Sequence, residues 1–352
     1  MRCLIIAHIA CPPVNLFNES SMTESTPHTF LLARQRMSGK LANLAFGFLA
    51  HSLRVLPIAQ PRLHRVIRER GRTYRRDPEL TLDIYRPATA HGPLPVVFYV
   101  HGGAFQALSK ETHWLMGIAF ARRGYAVVNI NYRLAPKHRF PAGMQDVCAA
   151  YRWMVENAEA ENFDLSKIVV AGESAGANLI TSLAIASAYP RPEPWAQDVY
   201  RLNAVPHVAL PACGIMQVTD TRRLFTNSKL SFVSRDILNG MEQRYLPKET
   251  SIDTMLADPL RFLEQAEESS RPLPAFFLPV GTKDPIMDDT HRMLHALQRL
   301  SVPCQGHFAD GGMHAFHVFV WRKKARKCWK DMLEFTHQHL TTATNPISNK
   351  VP

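Results

Sequence analysis

The stretch KIVVAGESAGANLITSLAIAS, residues 167–187, constrains the fold more than any other part of the chain. An apolar run of strand type passes into a helix-forming run through Gly172-Glu173-Ser174-Ala175-Gly176. A strand and a helix that meet this closely leave room only for a tight, strained turn. Side chains two positions either side of the serine would collide with the adjoining elements, so glycine is required at both. Such a turn lifts the Ser174 hydroxyl out of the sheet. It also aims the first amides of the next helix, with their partial positive charge, at the same point.

The pattern on both sides repeats this alternation. TLDIYRP alternates like a strand, and LPVVFYVHGG and YAVVNINYRLAP are nearly continuous apolar runs, with a helical stretch around Trp114 to Arg123 between the last two. MQDVCAAYRWMVENAEA reads as a long helix, and VPHVALPACGIMQV as a further buried strand. After a break the rhythm resumes with LPAFFLPVGTKDP, the helix DDTHRMLHALQRL, the strand VPCQGHFAD and a final helix from about Phe316 to His339. Buried apolar strands alternating with amphipathic helices specify an α/β fold with a parallel sheet covered on both faces. Two regions lack the rhythm. Thr29 to about Ile67 has helical spacing of apolar groups, predicting one or two amphipathic helices, and about Thr219 to Leu263 reads as a helical insertion. The tail after Thr341 is expected to fray.

Composition removes several function classes. At 46% hydrophobic and 20% charged, the 352 residues have ordinary globular balance, and no apolar run is long enough to span a bilayer as a helix. The net charge of +11 gathers in RVIRERGRTYRR (65–76) and WRKKARK (321–327). No nucleic-acid-binding motif accompanies either run, so both read as solvated faces and no nucleic-acid partner is expected. Six cysteines are spread without a C-x-x-C pair. Cys148, Cys213 and Cys304 fall in apolar surroundings and read as small buried hydrophobes. A reducing, cytoplasmic setting follows. MRCLIIAHIAC faintly resembles a lipoprotein signal, with translation starting at Met22 or Met37 as the competing reading. No phosphate-cradling loop or dinucleotide fingerprint occurs, and no cofactor or metal is expected. His291 and His295 have a metal-ligand spacing but no third partner, and read as a helix surface.

A serine hydroxyl needs a base, and the base needs an orienting group. Among 16 histidines, His314 in GGMHAFHVF follows the last strand, where a loop at the carboxyl edge would carry it over the sheet. Asp284 in GTKDPIMDD follows the preceding strand at the same edge. Ser174, Asp284 and His314 thus stand in the chain order of a triad on this kind of sheet. His317, one helical turn on, is the alternative base. Asp288 is the alternative orienter, although it also suits the start of the next helix. YVHGGAF ends a buried strand in a glycine pair. The amides of Gly102 and Gly103, with that of Ala175, would hold an oxyanion.

Taken together, HGGAF, NYRLAPKHRFPAGMQD, GESAG, DPIMD and HAF resemble the hormone-sensitive-lipase family of serine esterases over roughly residues 73 to 340. The block Tyr132 to Asp146 is the most telling, since no general hydrolase signal demands it. The resemblance implies an α/β-hydrolase core of eight strands, mostly parallel with the first ones antiparallel. It also implies a helical cap made from the amino-terminal helices and the insertion. The family carries three glycines after the oxyanion histidine, and here Ala104 takes the third place, where its methyl group could narrow the site. His101 is expected to brace this loop by hydrogen bonding, Glu173 to bond nearby loop groups, and Asp146 to tie the RLAP segment to its neighbours.

The expected organisation is an amino-terminal segment contributing cap helices (1–72), core (73–218), cap insertion (219–265), core (266–340) and tail (341–352). The expected function is a serine carboxylesterase acting on short- to medium-chain acyl esters through an acyl-enzyme. Its partner is a small-molecule ester, and a homodimer is the state common in the family. Two readings compete: a ligand-binding receptor on the same fold, which in this family has lost the histidine that His314 supplies here, and an interaction protein resting on its basic surface.

Overall fold

A computed structural model describes residues 59–225 and 232–342. The helices expected before residue 59 and the tail beyond 342 lie outside these. Eight strands form one sheet: β1 (Val66–Thr73), β2 (Thr81–Pro87), β3 (Leu94–Val100), β4 (Ala126–Ile130), β5 (Phe163–Glu173), β6 (Val208–Ala212), β7 (Ala275–Gly281) and β8 (Cys304–Ala309). Their order across the sheet is β1-β2-β4-β3-β5-β6-β7-β8. β1 and β2, and β2 and β4, pair antiparallel, and all later neighbours pair parallel. The chain order crosses over at β3 and β4, and the loops after β3, β5, β7 and β8 leave from one carboxyl edge.

The helices are α1 (Trp114–Ala121), α2 (Ala142–Glu156), α3 (Ala175–Ala188), α4 (Pro194–Arg201), α5 (Phe232–Tyr245), α6 (Pro259–Gln265), α7 (Met287–Arg299) and α8 (Lys323–Thr342). Every residue of α3 is buried, because this helix lies between the sheet and its neighbouring helices. The two-residue alternation of the strands divides the core. Val96, Phe98 and Val100 join α2, α3 and α7 on one face, whereas Val97 and Tyr99 join α1 and α8 on the other. Among the described residues no helix is long and apolar enough to cross a membrane.

Three expectations need correction. The first core strand starts at Val66, ahead of the boundary drawn at residue 73. As an edge strand it exposes most of its arginines and lacks an apolar run. Its basic run is more than a solvated face: Arg68 pairs with buried Asp83 at 2.5 Å and Arg75 with buried Asp146 at 2.7 Å. The last helix begins at Lys323 and not near Phe316, because Phe316–Val318 makes one 3-10 turn first. Between β6 and β7 the described chain is helical. The end of α5 rests on the core: the Tyr245 ring stacks on Phe105 at 3.7 Å, and its carbonyl accepts the Phe140 amide at 2.7 Å.

Candidate active site

Ser174 stands between the end of β5 and the start of α3 with φ 53° and ψ −115°, a conformation that side-chain-bearing residues rarely adopt. The Ser174 amide is anchored to the Ala212 carbonyl at the end of β6, at 2.9 Å. The glycines do what the spacing required. A Cβ on Gly172 would lie 2.7 Å from the Gly176 backbone, and one on Gly176 would lie 2.1 Å from the Val100 carbonyl oxygen. Strand, turn and helix can therefore approach this closely only without side chains at those two positions.

Asp284 and His314 reach the same edge on two loops that are locked together. Lys283 donates its amide to the Gly312 carbonyl, and Gly311 donates to the Thr282 hydroxyl at 2.7 Å. Gly281 and Gly312 touch backbone to backbone, since a Cβ on Gly281 would fall 2.2 Å from the Gly312 oxygen. The Asp284 carboxylate is buried. Its Oδ1 accepts the Ile286 amide at 3.1 Å, and its Oδ2 meets Nδ1 of His314 at 2.9 Å. A carboxylate there must accept, so Nδ1 carries a proton and Nε2 of the neutral ring is free to take one. The His314 side chain is 41% exposed, so the ring is open to a reactant. Burial pulls its pKa down, but the Asp284 charge and hydrogen bond, with a further push from Glu173, outweigh it and leave the pKa raised above 6.5.

The loop after β3 supplies the third part. Gly102 packs directly on the elbow, where a Cβ would meet the Glu173 carbonyl oxygen at 2.9 Å. Gly103 has φ 114°, and a Cβ there would lie 2.0 Å from the Ala107 carbonyl oxygen, so both positions need glycine. Ala104 and Phe105 follow with φ 53° and 62°. His101 braces this loop: Nδ1 bonds the Gly102 carbonyl at 2.7 Å, its ring stacks on Tyr132 at 4.4 Å, and Tyr132 donates to its carbonyl at 3.0 Å. Burial holds the His101 pKa down at about 3, so this ring is neutral and is no candidate for the base.

A profile of the family described as alpha/beta hydrolase fold matches residues 97–318. The chain belongs to this family. Carboxylesterase NlhH of Mycobacterium tuberculosis is 32% identical over 215 residues, covering 60% of this chain and 63% of its own, so the match spans less than two thirds of that relative. The acetyl esterase of Salmonella schwarzengrund is 27% identical over 241 residues, covering 68% of this chain and 69% of its own. Among solved structures, esterase B of Lactobacillus Rhamnosis superposes with a TM-score of 0.72 at 20% identity, over 89% of this chain and 96% of that one. This last likeness speaks to the fold alone. The hormone-sensitive-lipase resemblance read from the motifs agrees with the family match.

The alternative site residues lie elsewhere. His317 places Nε2 3.3 Å from a Glu173 carboxylate oxygen. Asp288 falls in the first turn of α7, where a negative charge suits the helix dipole. His291 and His295 are exposed on α7, and His291 stacks on Phe308. Asp146 is fully buried and receives Arg133 through its amide at 3.0 Å and its Nε at 2.7 Å, tying the RLAP segment to α2. Cys213 is more than a small hydrophobe. Its sulfur, a carboxylate oxygen of Asp284 and a ring nitrogen of His314 lie within 4.8 Å of one another, and burial with the Asp284 charge pushes the thiol pKa well up. Cys304 is only half-buried. Sequence reasoning missed His113, whose Nε2 makes a short contact with Glu173. No local pattern marks it.

Proposed function

We propose that this hydrolase is a serine carboxylesterase acting on short- to medium-chain acyl esters. Ser174 Oγ attacks the ester carbonyl and its proton passes to Nε2 of His314. The amides of Gly102, Gly103 and Ala175 hold the resulting oxyanion, each donor contributing about 3–4 kcal/mol to the transition state. His314 returns the proton to the leaving alcohol, which departs and leaves the acyl group on Ser174. Water, deprotonated by the same ring, then releases the acid. Asp284 keeps the proton on Nδ1 and stabilises the imidazolium. Ala104 limits the width of the site, and the 219–265 insertion serves as part of its cap.

The observation that carries this reading is the 2.9 Å Asp284–His314 pair on the edge where Ser174 occupies a strained elbow. The acetyl esterase relative supports the short acyl group. Free Cys148, Cys213, Cys304 and Cys328 support a reducing compartment. A homodimer completes the reading and is measured by light scattering. The test of the activity is a series of p-nitrophenyl esters from acetyl to lauroyl, beside Ser174→Ala. Hydrolysis should peak at the short chains and vanish in the variant. Equal rates in both proteins would refute the proposal.

A further inference from the structure

We propose that Glu173 and His113 form a buried ion pair beneath the nucleophile, and that this pair positions the elbow, the oxyanion loop and the His314 loop and sets the charge felt by His314. The inference rests on the esterase reading for its catalytic meaning but not for its test.

Glu173 closes β5, on the face opposite the one that Ser174 enters. Val169 and Ala171, at two-residue intervals before it, lie in the core shared with α1 and α8, and Glu173 continues that row to the rim. A glutamate 5% exposed in such a place needs partners, and three arrive from three elements. Tyr99 of β3 donates its hydroxyl to Oε2 at 2.9 Å. His317, three residues beyond His314, places Nε2 3.3 Å from the same oxygen. His113, just before α1, places Nε2 against Oε1. Gly102 of the oxyanion loop packs on the Glu173 side chain itself, where an added Cβ would lie 3.1 Å from Cγ. One carboxylate therefore touches or adjoins every part of the site.

The protonation of His113 follows from its neighbours. His113 Nδ1 faces the Ser109 carbonyl at 3.0 Å and the Thr112 hydroxyl oxygen at 2.8 Å. That hydroxyl already donates to Ser109 at 2.7 Å and can only accept from the ring. Nδ1 must carry a proton, and Nε2, against a carboxylate, must carry one too. His113 is an imidazolium. His317 is different: only its Nε2 meets Glu173, and its Nδ1 is buried with no partner among the described residues. Burial opposes charge at both members of the pair. At His113 the Glu173 charge and hydrogen bond prevail and raise its pKa, and at Glu173 the two histidines hold the carboxyl well below the usual range.

The other titratable groups around the cluster do not supply a competing charge. His101, stacked on His113 at 5.5 Å, is neutral. Tyr99, Tyr132 and the Cys213 thiol are all pushed up by burial and stay protonated. Glu111 is held by Lys110. The Asp284 carboxylate and Glu173 act on His314, and the positive charge of His113 lies against Glu173.

The two halves of the pair should thus act on His314 with opposite sign. Glu173→Gln removes a negative charge and lowers the His314 pKa, whereas His113→Gln removes a positive charge and raises it, each by roughly 0.5–1 pH unit. A purely structural pair would move both variants the same way or neither. Nitrogen-15 NMR titration of the histidine rings reads this without turnover, in the wild type and both variants, with folding checked by thermal melting. The expected result is a doubly protonated His113 at pH 7 and opposite shifts of the His314 midpoint, mirrored in the acid limb of kcat/KM. A neutral His113 at pH 7, or shifts of one sign, would overturn the proposal. Wild-type protein that hydrolyses no ester would count against the esterase reading alone.

Discussion

Replacing Asp284 by asparagine changes one atom of the site, and the structure fixes which way the new side chain turns. Oδ1 of Asp284 accepts the Ile286 amide at 3.1 Å, so the asparagine carbonyl must remain there, where an NH2 group would face another donor. The NH2 is left facing Nδ1 of His314, 2.9 Å from the position where Oδ2 accepted. To avoid two opposed donors, the imidazole moves its proton to Nε2. That is the nitrogen that must be bare to receive the Ser174 proton. The variant therefore keeps the shape of the site but holds the base in the wrong tautomer and removes the charge that stabilises its imidazolium. The same change in a Ser-His-Asp protease costs about 10⁴ in kcat, and we expect a loss of about 10³–10⁴-fold here, equal to about 4–5.5 kcal/mol of barrier. The assay is p-nitrophenyl acetate hydrolysis under saturation, with KM expected to stay within about threefold because the effect is confined to the transition state. A melting temperature close to wild type would show that the fold survives. A kcat loss below about tenfold in a folded variant would refute the tautomer argument.

Other consequences can be measured alongside. Gly176→Ala sets a methyl group 2.1 Å from the Val100 carbonyl, a backbone atom that cannot swing aside. It should cost about 2–3 kcal/mol or more in denaturant unfolding and remove activity. Because the His314 pKa is raised, kcat/KM should fall as pH drops through a value above 6.5. The stability from its pairing with Asp284 runs the other way: it is fully present below the unfolded value and is lost as pH rises through the folded one. Melting curves and pH–rate profiles over that window should therefore show the group's two contributions opposed. Ala104→Gly relieves a left-handed φ of 53° and should leave stability unchanged or improve it by up to about 1 kcal/mol, read as melting temperature.

Much of the fold can be read from the chain because β3, β4, β5, β6 and β7 are buried on both faces and so carry continuous apolar runs. β1 escapes this reading: an edge strand rich in arginine looks like a charged loop, and its Arg68–Asp83 ion pair, like that of Arg75 just beyond it with Asp146, exists only after folding. The short helix α4 was also invisible, since eight residues starting at Glu193-Pro194 offer too little periodicity to distinguish from a loop. Ser174, Gly102 and Gly103 are legible because backbone geometry there demands particular residue types. Asp284 and His314 are legible from their place after β7 and β8. His113, His317 and Cys213 are not, because their partners Glu173 and Asp284 meet them through the crossings of the sheet, and no local spacing records such a meeting. His317 shows the hazard most clearly. Its position in the chain suits a base as well as that of His314 does, and only the direction of the 3-10 turn sends it to Glu173.

The central claim is that Ser174 is a nucleophile activated by His314, and covalent capture tests it most directly. The protein would be treated with a fluorophosphonate at pH 8 and digested, and the labelled peptide sequenced by mass spectrometry, with Ser174→Ala and Asp284→Asn in parallel. The account predicts one stoichiometric adduct on Ser174, none in the alanine variant, and labelling slowed by orders of magnitude in the asparagine variant. An unmodified Ser174, or equal labelling of the wild type and Asp284→Asn, would contradict it.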